Sequence, residues 1–519
     1  MNKFGLASCV LMLGMSLMAS AQTPQNNAVP DRSQVPAISS PESVKIPPIV
    51  KRQLSNGIPV WFTQRTNTPM ATVAMFIKAG AVGEASDKMG TASLTADLLD
   101  EGTKKYTAMS FSEHVDDIGA YFSAEQAYFG NTVSITVPAK RLDAAVDLMS
   151  EALLQPTFPQ EEIDRLKKQT LTGFMQKRSE PSALAGNAFM YKIYENDPQN
   201  RQRYGVNGTA QTYASITRDD IVKFYRDYYT PANTFVAVTG NVDVDKTMAL
   251  LEETFGKWQA AGKTAEAKPK KTQLDIAAEF KNGLGRAAGL SESLKAPQAK
   301  VINAPGRIIY VVDRPGSPQS VLRVGCVGYA RSTEHFFPLR VMNTVLGGSF
   351  MSRLNQNLRE RNGYTYGARS AFVFRVEPGP FAVMADVQSD KTVPALREVF
   401  SEIENMGKKI PEDELKRTRN YICYGYPQSF ETSGKLAGRI LEMKLYELPD
   451  DYYDTYVQNI ESVDNKSMSV PRQLFFQPNR MEAIVVGDAK AIEKQIKEQT
   501  SWKMVLLPVD TFMGPEVAP

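Results

Sequence analysis

A long-range internal repeat restricts the possible folds of this chain more than any other pattern in its sequence. In the first half, Pro231 and Gly240 bracket an apolar run. In the second half, Pro478 and Gly487 bracket a similar run, and each lies 247 residues after its counterpart in the first half. The repeat predicts that one structural plan is used twice, in two homologous domains.

The order of the predicted elements agrees between the halves. Apolar strands are predicted at 72–78 and 321–327, and the second is followed by a helix at 338–346. Each half then has an alternating strand, at 131–137 and 379–387, and long amphipathic helices. Strands grouped with helices on one face favour an α+β fold, in which each domain is an antiparallel β-sheet packed against α-helices.

Length and composition suggest where the domains begin and end. A chain of 519 residues is too long for a single core. A segment rich in Lys, Ala and Pro separates the halves, and a polar segment with little to bury precedes the first half. The predicted segments are a signal peptide (1–21), a flexible lead-in (22–48), an N-terminal domain (49–259), a linker (260–300), a C-terminal domain (301–510) and a tail (511–519).

The N-terminus has the features of a secretory signal. A mainly apolar stretch from Phe4 to Met18 ends in the small residues of Ala19–Ala21, a pattern typical of a Sec-type signal peptide. No later stretch is apolar for long enough to cross a bilayer. We therefore expect cleavage near Ala21 and a periplasmic or secreted protein without a transmembrane segment.

Charge and the few cysteines and histidines argue against several classes of function. A net charge of +3 does not indicate a nucleic-acid partner or an anionic membrane surface. Cys326 and Cys423 remain after cleavage, and the sequence is compatible with one disulfide or with buried free thiols. His114 and His335 lie in separate halves without the spacing of a metal site, so neither is expected to be catalytic.

The segment Gly90–Thr103 resembles the active-site helix of a zinc peptidase without its zinc-binding residues. It is similar to the motif Gly-x-Ala-His-Phe-Leu-Glu-His-x-x-x-x-Gly-Thr of the pitrilysin family, peptidase family M16, which includes insulinase and the mitochondrial processing peptidase. In that frame the two His ligands fall on Ser93 and Asp97, and the Glu general base falls on Ala96. Two imidazoles on adjacent turns hold zinc while the carboxylate deprotonates its water. The replacements remove that chemistry.

The resemblance also places a third zinc ligand, a Glu, on a later helix. That helix is predicted at 160–174, and the matching positions lie near Thr172 and Gly173. Because catalytic zinc needs three protein ligands, we expect no metal and no other cofactor in this chain.

The second half, unlike the first, retains its own part of the family's motifs. The segment Leu346–Gly367 is similar to the family's C-domain signature, in which a glycine turn leads into a helix and then into a strand. The family's Arg/Tyr pair falls on Arg359 and Tyr366. A guanidinium and a phenol are suitable donors to the negative charge that develops on a carbonyl oxygen during amide hydrolysis. The resemblance thus implies Arg359 and Tyr366 as catalytic residues, and the glycine turn suggests Gly347, Gly348, Ser349 and Phe350 as peptide-binding residues.

The resemblance implies the two-domain fold of the mitochondrial processing peptidase and a zinc-free subunit of a heterodimeric peptidase. A zinc-bearing M16 paralogue would supply the metal, and this chain would supply Arg359, Tyr366 and half of a chamber for peptides or unfolded segments. Two alternatives stay open. The chain is a non-enzymatic peptide-binding or structural scaffold, or it uses another metal or another chemistry through Asp97, Asp100 and Glu101.

Overall fold

A computed structural model describes residues 45–197, 200–259 and 306–518. The predicted signal peptide, the lead-in as far as residue 44 and the linker 260–300 lie outside the described residues. No described helix is both long enough and apolar enough to cross a membrane.

The described residues form two six-stranded sheets of matching topology, one in each half. The first sheet has the order β1-β2-β6-β3-β5-β4 and the second the order β12-β7-β11-β8-β10-β9. The strands are β1 Ile49–Gln53, β2 Pro59–Gln64, β3 Met70–Ile77, β4 Tyr121–Gln126, β5 Asn131–Pro138, β6 Thr234–Gly240, β7 Ile308–Asp313, β8 Gln319–Val327, β9 Thr365–Phe372, β10 Pro380–Gln388, β11 Glu482–Gly487 and β12 Lys503–Leu506. The five strands from β2 to β6 correspond in position to those from β7 to β11, which confirms the predicted duplication.

Helices surround both sheets. In chain order they are α1 Thr91–Asp97, α2 Ala108–Asp117, α3 Leu142–Leu154, α4 Gln160–Ser179, α5 Pro181–Ile193, α6 Ala210–Ala214, α7 Arg218–Tyr228, α8 Val244–Phe255, α9 Phe336–Leu346, α10 Arg353–Asn355, α11 Thr392–Asn405, α12 Glu412–Gly425, α13 Ser433–Leu445, α14 Tyr456–Glu461, α15 Ser469–Leu474, α16 Ala489–Gln499 and α17 Val509–Met513. A π-helical turn, Gln356–Arg361, follows α10 directly. The α+β class predicted from the sequence is confirmed.

The sheets are not wholly antiparallel, which is a difference from the prediction. Strand β6 is antiparallel to β3 but parallel to β2. Likewise β11 is antiparallel to β8 but parallel to β7. The reason is geometric: β6 and β11 return late in each half and enter between two strands that run in opposite directions. A strand in that position must be parallel to one of its neighbours.

Each sheet is covered on both faces, and one cover comes from the other half. Along β3, alternate residues belong to two different apolar clusters, as expected for the two faces of a strand. One face packs on helices of its own half, and the other packs on α13 of the second half through Ile440 and Leu441. In the second half, β8 and β11 receive α5 of the first half through Leu184 and Phe189. The halves therefore share their apolar interior, whereas the sequence predicted helices on one face only.

The two cysteines within the described residues are free thiols. Cys326 and Cys423 are both buried and unbridged, and burial raises their pKa values to about 12 and about 11. Of the two possibilities that the sequence left open, the structure has buried thiols.

Candidate functional site

Helix α1, the counterpart of a zinc-binding helix, is short and buried. Residues 91–96 are all buried, and the helix begins after Gly90, whose φ of +102° lies in the left-handed region. A Cβ atom at Gly90 would lie 2.4 Å from the Tyr213 ring and 2.6 Å from the carbonyl oxygen of Asn207. Only glycine fits this turn, because both the backbone angle and the space exclude a side chain.

A buried ion pair holds the start of α1. The Glu84 side chain is fully buried, and its Oε2 accepts hydrogen bonds from Arg201 at 2.8 and 3.0 Å. Its Oε1 accepts the backbone N–H groups of Gly90 and Ala92 at 3.1 and 2.8 Å. Burial raises the pKa of Glu84, and Arg201 and the two N–H groups oppose that shift. The carboxylate thus satisfies two of the free N–H groups that every helix presents at its N-terminus.

Two of the three zinc-ligand positions, Asp97 and Gly173, line one cleft, and neither carries a His or Glu side chain. Ser93 and Ala96 are buried, and Asp97 is exposed within the cleft. Across from α1, Gly173 of α4 lines the same cleft, whereas the Thr172 hydroxyl donates to the Lys168 carbonyl at 2.9 Å. Gly173 is therefore the better counterpart of the third ligand.

The residues present do not suit zinc. A hydroxyl, a methyl group, one carboxylate and a glycine replace the three ligands and the general base, and catalytic zinc needs three protein ligands. Over the described ranges 45–197, 200–259 and 306–518, no group of three or more His, Cys, Asp or Glu side chains is arranged to hold a metal ion.

The cleft has a volume of about 660 Å³ and is mainly polar. Its walls come from α1, α4, the loop after α1, the edge strand β4 and the segment before α6. The lining residues are Ala96, Asp97, Asp100, Glu101, Ala124, Arg165, Leu166, Gln169, Thr170, Gly173, Lys177 and Asn207. All of them belong to the first half.

Two acids in the cleft have raised pKa values. The walls remove part of the hydration of Asp97, and with the nearby charges of Asp100 and Glu101 they raise its pKa to about 6. Burial, with Glu101, raises the pKa of Asp100 to about 6 against the opposing hydrogen bond of its own backbone amide. Both carboxyls therefore change protonation between pH 4 and 7.

We predict that Asp97→Asn stabilises the chain near neutral pH. A carboxyl whose pKa rises from 3.8 to about 6 on folding binds protons better in the folded state. The free energy of unfolding therefore falls as pH rises through that window. The free energy of unfolding of the variant should equal that of the parent at pH 4 and exceed it by about 1 kcal/mol at pH 7. This value is reduced to allow for the exposure of Asp97 to solvent. Urea unfolding at pH 4, 5, 6 and 7 measures this, with exposed Asp116→Asn as control. A pH-independent difference would contradict it.

The glycine turn of the second half is packed tightly against β9. The N–H groups of Gly347 and Gly348 both donate to the Asn343 carbonyl, at 2.9 and 2.8 Å. A Cβ atom at Gly347 would lie 2.3 Å from the Ser370 backbone nitrogen, and one at Gly348 would lie 2.8 Å from Thr344 Cα. These glycines are required by packing. Ser349 donates its hydroxyl to the Thr344 carbonyl at 3.3 Å, which holds the turn to α9.

Arg359 lies on the π-helical turn and beside Phe350. The Asn362 N–H donates to the Asn357 carbonyl at 3.1 Å, five residues back, and the buried Asn357 amide donates to Glu398 and Glu402 of α11 at 2.8 and 2.7 Å. The Arg359 guanidinium lies 4.8 Å from the centre of the Phe350 ring, and Phe350 is itself 60% exposed. The structure thus brings two of the predicted site residues together, on a local geometry that is frequent at functional sites.

Tyr366 lies on the edge strand β9 and is 91% exposed. Among the described residues its hydroxyl forms no hydrogen bond. The π-helical turn ends before Asn362 and Gly363, and Gly363 has a φ of +63°. The turn delivers the chain into β9 with Tyr366 at the surface, as a residue that contacts a second molecule would be.

Sequence reasoning missed the residues that support the cleft. Arg201 lies 117 residues from Glu84, so no local pattern connects them. Tyr213, which is fully buried, resembled any core aromatic residue. Neither His114 nor His335 lines the cleft; His114 Nδ1 donates to the Ser110 carbonyl oxygen, 2.7 Å away.

Comparisons with known proteins point to a single family. A family model described as insulinase, peptidase family M16, matches residues 60–206, and one described as the peptidase M16 inactive domain matches residues 215–422. An uncharacterized zinc protease of Mycobacterium leprae is 26% identical over 393 residues, covering 76% of this chain and 81% of the relative. One from Bacillus subtilis is 21% identical over 424 residues, covering 81% and 94%.

Solved structures share the fold. A peptidase M16 inactive domain from Pseudomonas fluorescens has a TM-score of 0.72 at 20% identity, covering 85% of this chain and 98% of that one. A protease from Helicobacter pylori has a TM-score of 0.69 at 18% identity, covering 85% and 100%. The two family models together span more than half of the sequence, and both describe the same family. The chain belongs to peptidase family M16.

Proposed function

We propose that this chain is the zinc-free subunit of a heterodimeric M16 peptidase, paired with a zinc-bearing paralogue that hydrolyses peptides. One observation carries the proposal. Arg359 and Tyr366 lie on an intact signature, with Tyr366 91% exposed, in a chain whose cleft lacks every zinc ligand. A site that had simply decayed gives no reason to keep a large aromatic side chain in solvent.

In this proposal the two chains divide the chemistry. The partner supplies the metal and the attacking water, and this chain supplies hydrogen-bond donors to the carbonyl oxygen of the peptide. The Arg359 guanidinium is permanently charged, and the Tyr366 hydroxyl is free to donate. Donors fixed in place before reaction stabilise the charge that develops on that oxygen. The relatives named zinc proteases support a peptidase context.

The proposal includes export of the mature chain. The apolar stretch 4–18 and the small residues of Ala19–Ala21 support it. Cell fractionation of the native protein, with N-terminal sequencing of the mature form, tests it directly; an uncleaved cytoplasmic chain would contradict export.

Tyr366→Phe and Arg359→Ala in the reconstituted complex test the catalytic part. Loss of an oxyanion donor lowers kcat by a factor of about 10² or more, and we expect that fall from each variant with the complex still assembled. Tyr421→Phe, which changes another exposed tyrosine (58%), is the matched control. The measurement is steady-state hydrolysis of a fluorogenic peptide. The purified single chain should neither cleave it nor contain stoichiometric zinc.

Unchanged rates in both variants would favour the alternative, a peptide-binding or structural scaffold. Chelator-sensitive hydrolysis by the single chain would contradict both the zinc-free subunit and the scaffold.

A further inference from the structure

Tyr366 lies in a β-bulge, where the regular pairing of the second sheet is interrupted. Strand β9 pairs with β10 at Thr365 and again at Ala368. Between these two pairs, Tyr366 and Gly367 together face a single residue of β10, Asp386. A bulge disrupts the ladder of hydrogen bonds locally and redirects a side chain. The pairing of β9 with β10 therefore does not by itself fix the position of Tyr366.

A buried asparagine anchors β9 next to this bulge. Asn355, the last residue of α10, is 4% exposed, and its Oδ1 accepts the backbone N–H of Ala368 at 3.3 Å. Because β9 is an edge strand, alternate N–H groups point away from β10 and need another acceptor. Asn355 supplies that acceptor two residues after Tyr366.

The other end of the same amide holds the turn that carries Phe350. Asn355 Nδ2 donates to the Phe350 carbonyl oxygen at 2.8 Å, and the Phe350 ring lies 4.8 Å from the Arg359 guanidinium. One buried side chain thus connects the turn beside Arg359 with the strand that carries Tyr366. Such a bridge is stiff, because the loss of either hydrogen bond would leave a buried polar group unsatisfied.

We propose that Asn355 is a positioning residue that fixes Tyr366 relative to Arg359. The inference rests on the proposed function, in which these two residues donate to the same carbonyl oxygen. Asn355 is itself buried and acts through them. Catalytic groups must be held within about 0.5 Å of their productive geometry, and a displacement of about 1 Å can lower the rate by a factor of about 10². Because the donors act on the transition state, loss of the anchor should lower kcat and leave KM unchanged.

A double-mutant cycle in the reconstituted complex tests the inference. Its variants are Asn355→Ala, Tyr366→Phe and the combination of the two. Asn355→Ala alone should lower kcat for the fluorogenic peptide by about tenfold, with KM within about twofold of the parent value. In the Tyr366→Phe background the same change should lower kcat by less than about threefold, because the donor that it positions is already absent.

Asn465→Ala is the matched control. The Asn465 side chain also forms two hydrogen bonds with backbone groups, both of Ile410, at 2.9 and 2.8 Å, and it lies outside the signature segment. Its loss should lower the midpoint of thermal unfolding about as much as Asn355→Ala does, but it should leave kcat and KM at the parent values. This comparison separates a role in positioning from a general contribution to stability.

Asn355→Asp serves as a second variant if Asn355→Ala does not fold or assemble. It has the same shape and keeps the acceptor for the Ala368 N–H, so it should retain more of the parent kcat than Asn355→Ala and show the same dependence on Tyr366. An equal fall in kcat in both backgrounds, or a fall no larger than that of Asn465→Ala, would overturn the positioning role. Parent rates in Tyr366→Phe itself would instead overturn the proposed function, so the two failures are distinguishable.

Discussion

Four substitutions together, Ser93→His, Ala96→Glu, Asp97→His and Gly173→Glu, are expected to turn this chain into a stoichiometric zinc binder. Positions 93 and 97 are one turn apart on α1 and so share a helix face. Gly173 lines the same cleft as Asp97, and a Cβ atom there would have no heavy atom within 4 Å. The four substitutions would therefore add two imidazoles and two carboxylates to the two helices that line the cleft.

The expected gain in zinc affinity is large because two imidazoles and a carboxylate complete the ligand set of a catalytic zinc site. We expect an apparent Kd of about 1 μM or tighter, against no stoichiometric binding by the parent. Calorimetry with Zn²⁺ and metal analysis after dialysis measure it.

The triple variant without Gly173→Glu is the control for zinc restoration. It should bind zinc more weakly by a factor of about 10 to 100, since it lacks one ligand. A quadruple variant that folds but binds zinc no better than the triple variant would show that α1 and α4 have shifted relative to each other.

The second large effect is the loss of stability in Glu84→Ala. This change leaves the guanidinium of Arg201, which is 9% exposed, without its carboxylate. It also removes the acceptor of the Gly90 and Ala92 N–H groups. Breaking a buried ion pair by removing one partner costs about 3–5 kcal/mol, and urea unfolding at pH 7 should show a loss of that size.

Two further variants distinguish the effect of breaking this buried ion pair from the effect of removing any charged side chain. Asp227→Ala breaks the exposed pair with Lys223 and should cost less than about 1 kcal/mol. The double change Glu84→Met/Arg201→Met should recover part of the loss, because no unpaired charge remains buried. Equal losses from Glu84→Ala and Asp227→Ala would mean that the start of α1 does not depend on this contact.

The duplicated fold could be predicted because its signals are local. Pro231 and Pro478 each begin a short turn that leads into an inner strand, and Gly240 and Gly487 each end that strand. Gly240 has a φ of +117°, a left-handed conformation that favours glycine. A residue fixed by its own backbone turn leaves a pattern that the sequence alone reveals.

The contacts that hold the candidate site in place could not be predicted from such local signals. The pairing of Glu84 with Arg201 joins loops far apart in the chain, and so does the contact of Arg375 with Gln202 at 2.6 Å. The π-helical turn that carries Arg359 depends on the buried Asn357 amide and on acids of a later helix. These features follow from the packing of distant segments, which composition and periodicity do not encode.

Because a helix of each half packs on the sheet of the other, the first sheet stays incomplete during translation of the chain. Thr239 on the first sheet donates to the Ser433 carbonyl, 194 residues later, at the start of α13. At roughly 5–20 residues per second, a growing chain leaves that apolar sheet face, with Phe76 and Phe235, uncovered for about 10 to 40 s. The nascent first half is therefore prone to aggregation, however stable the finished protein is.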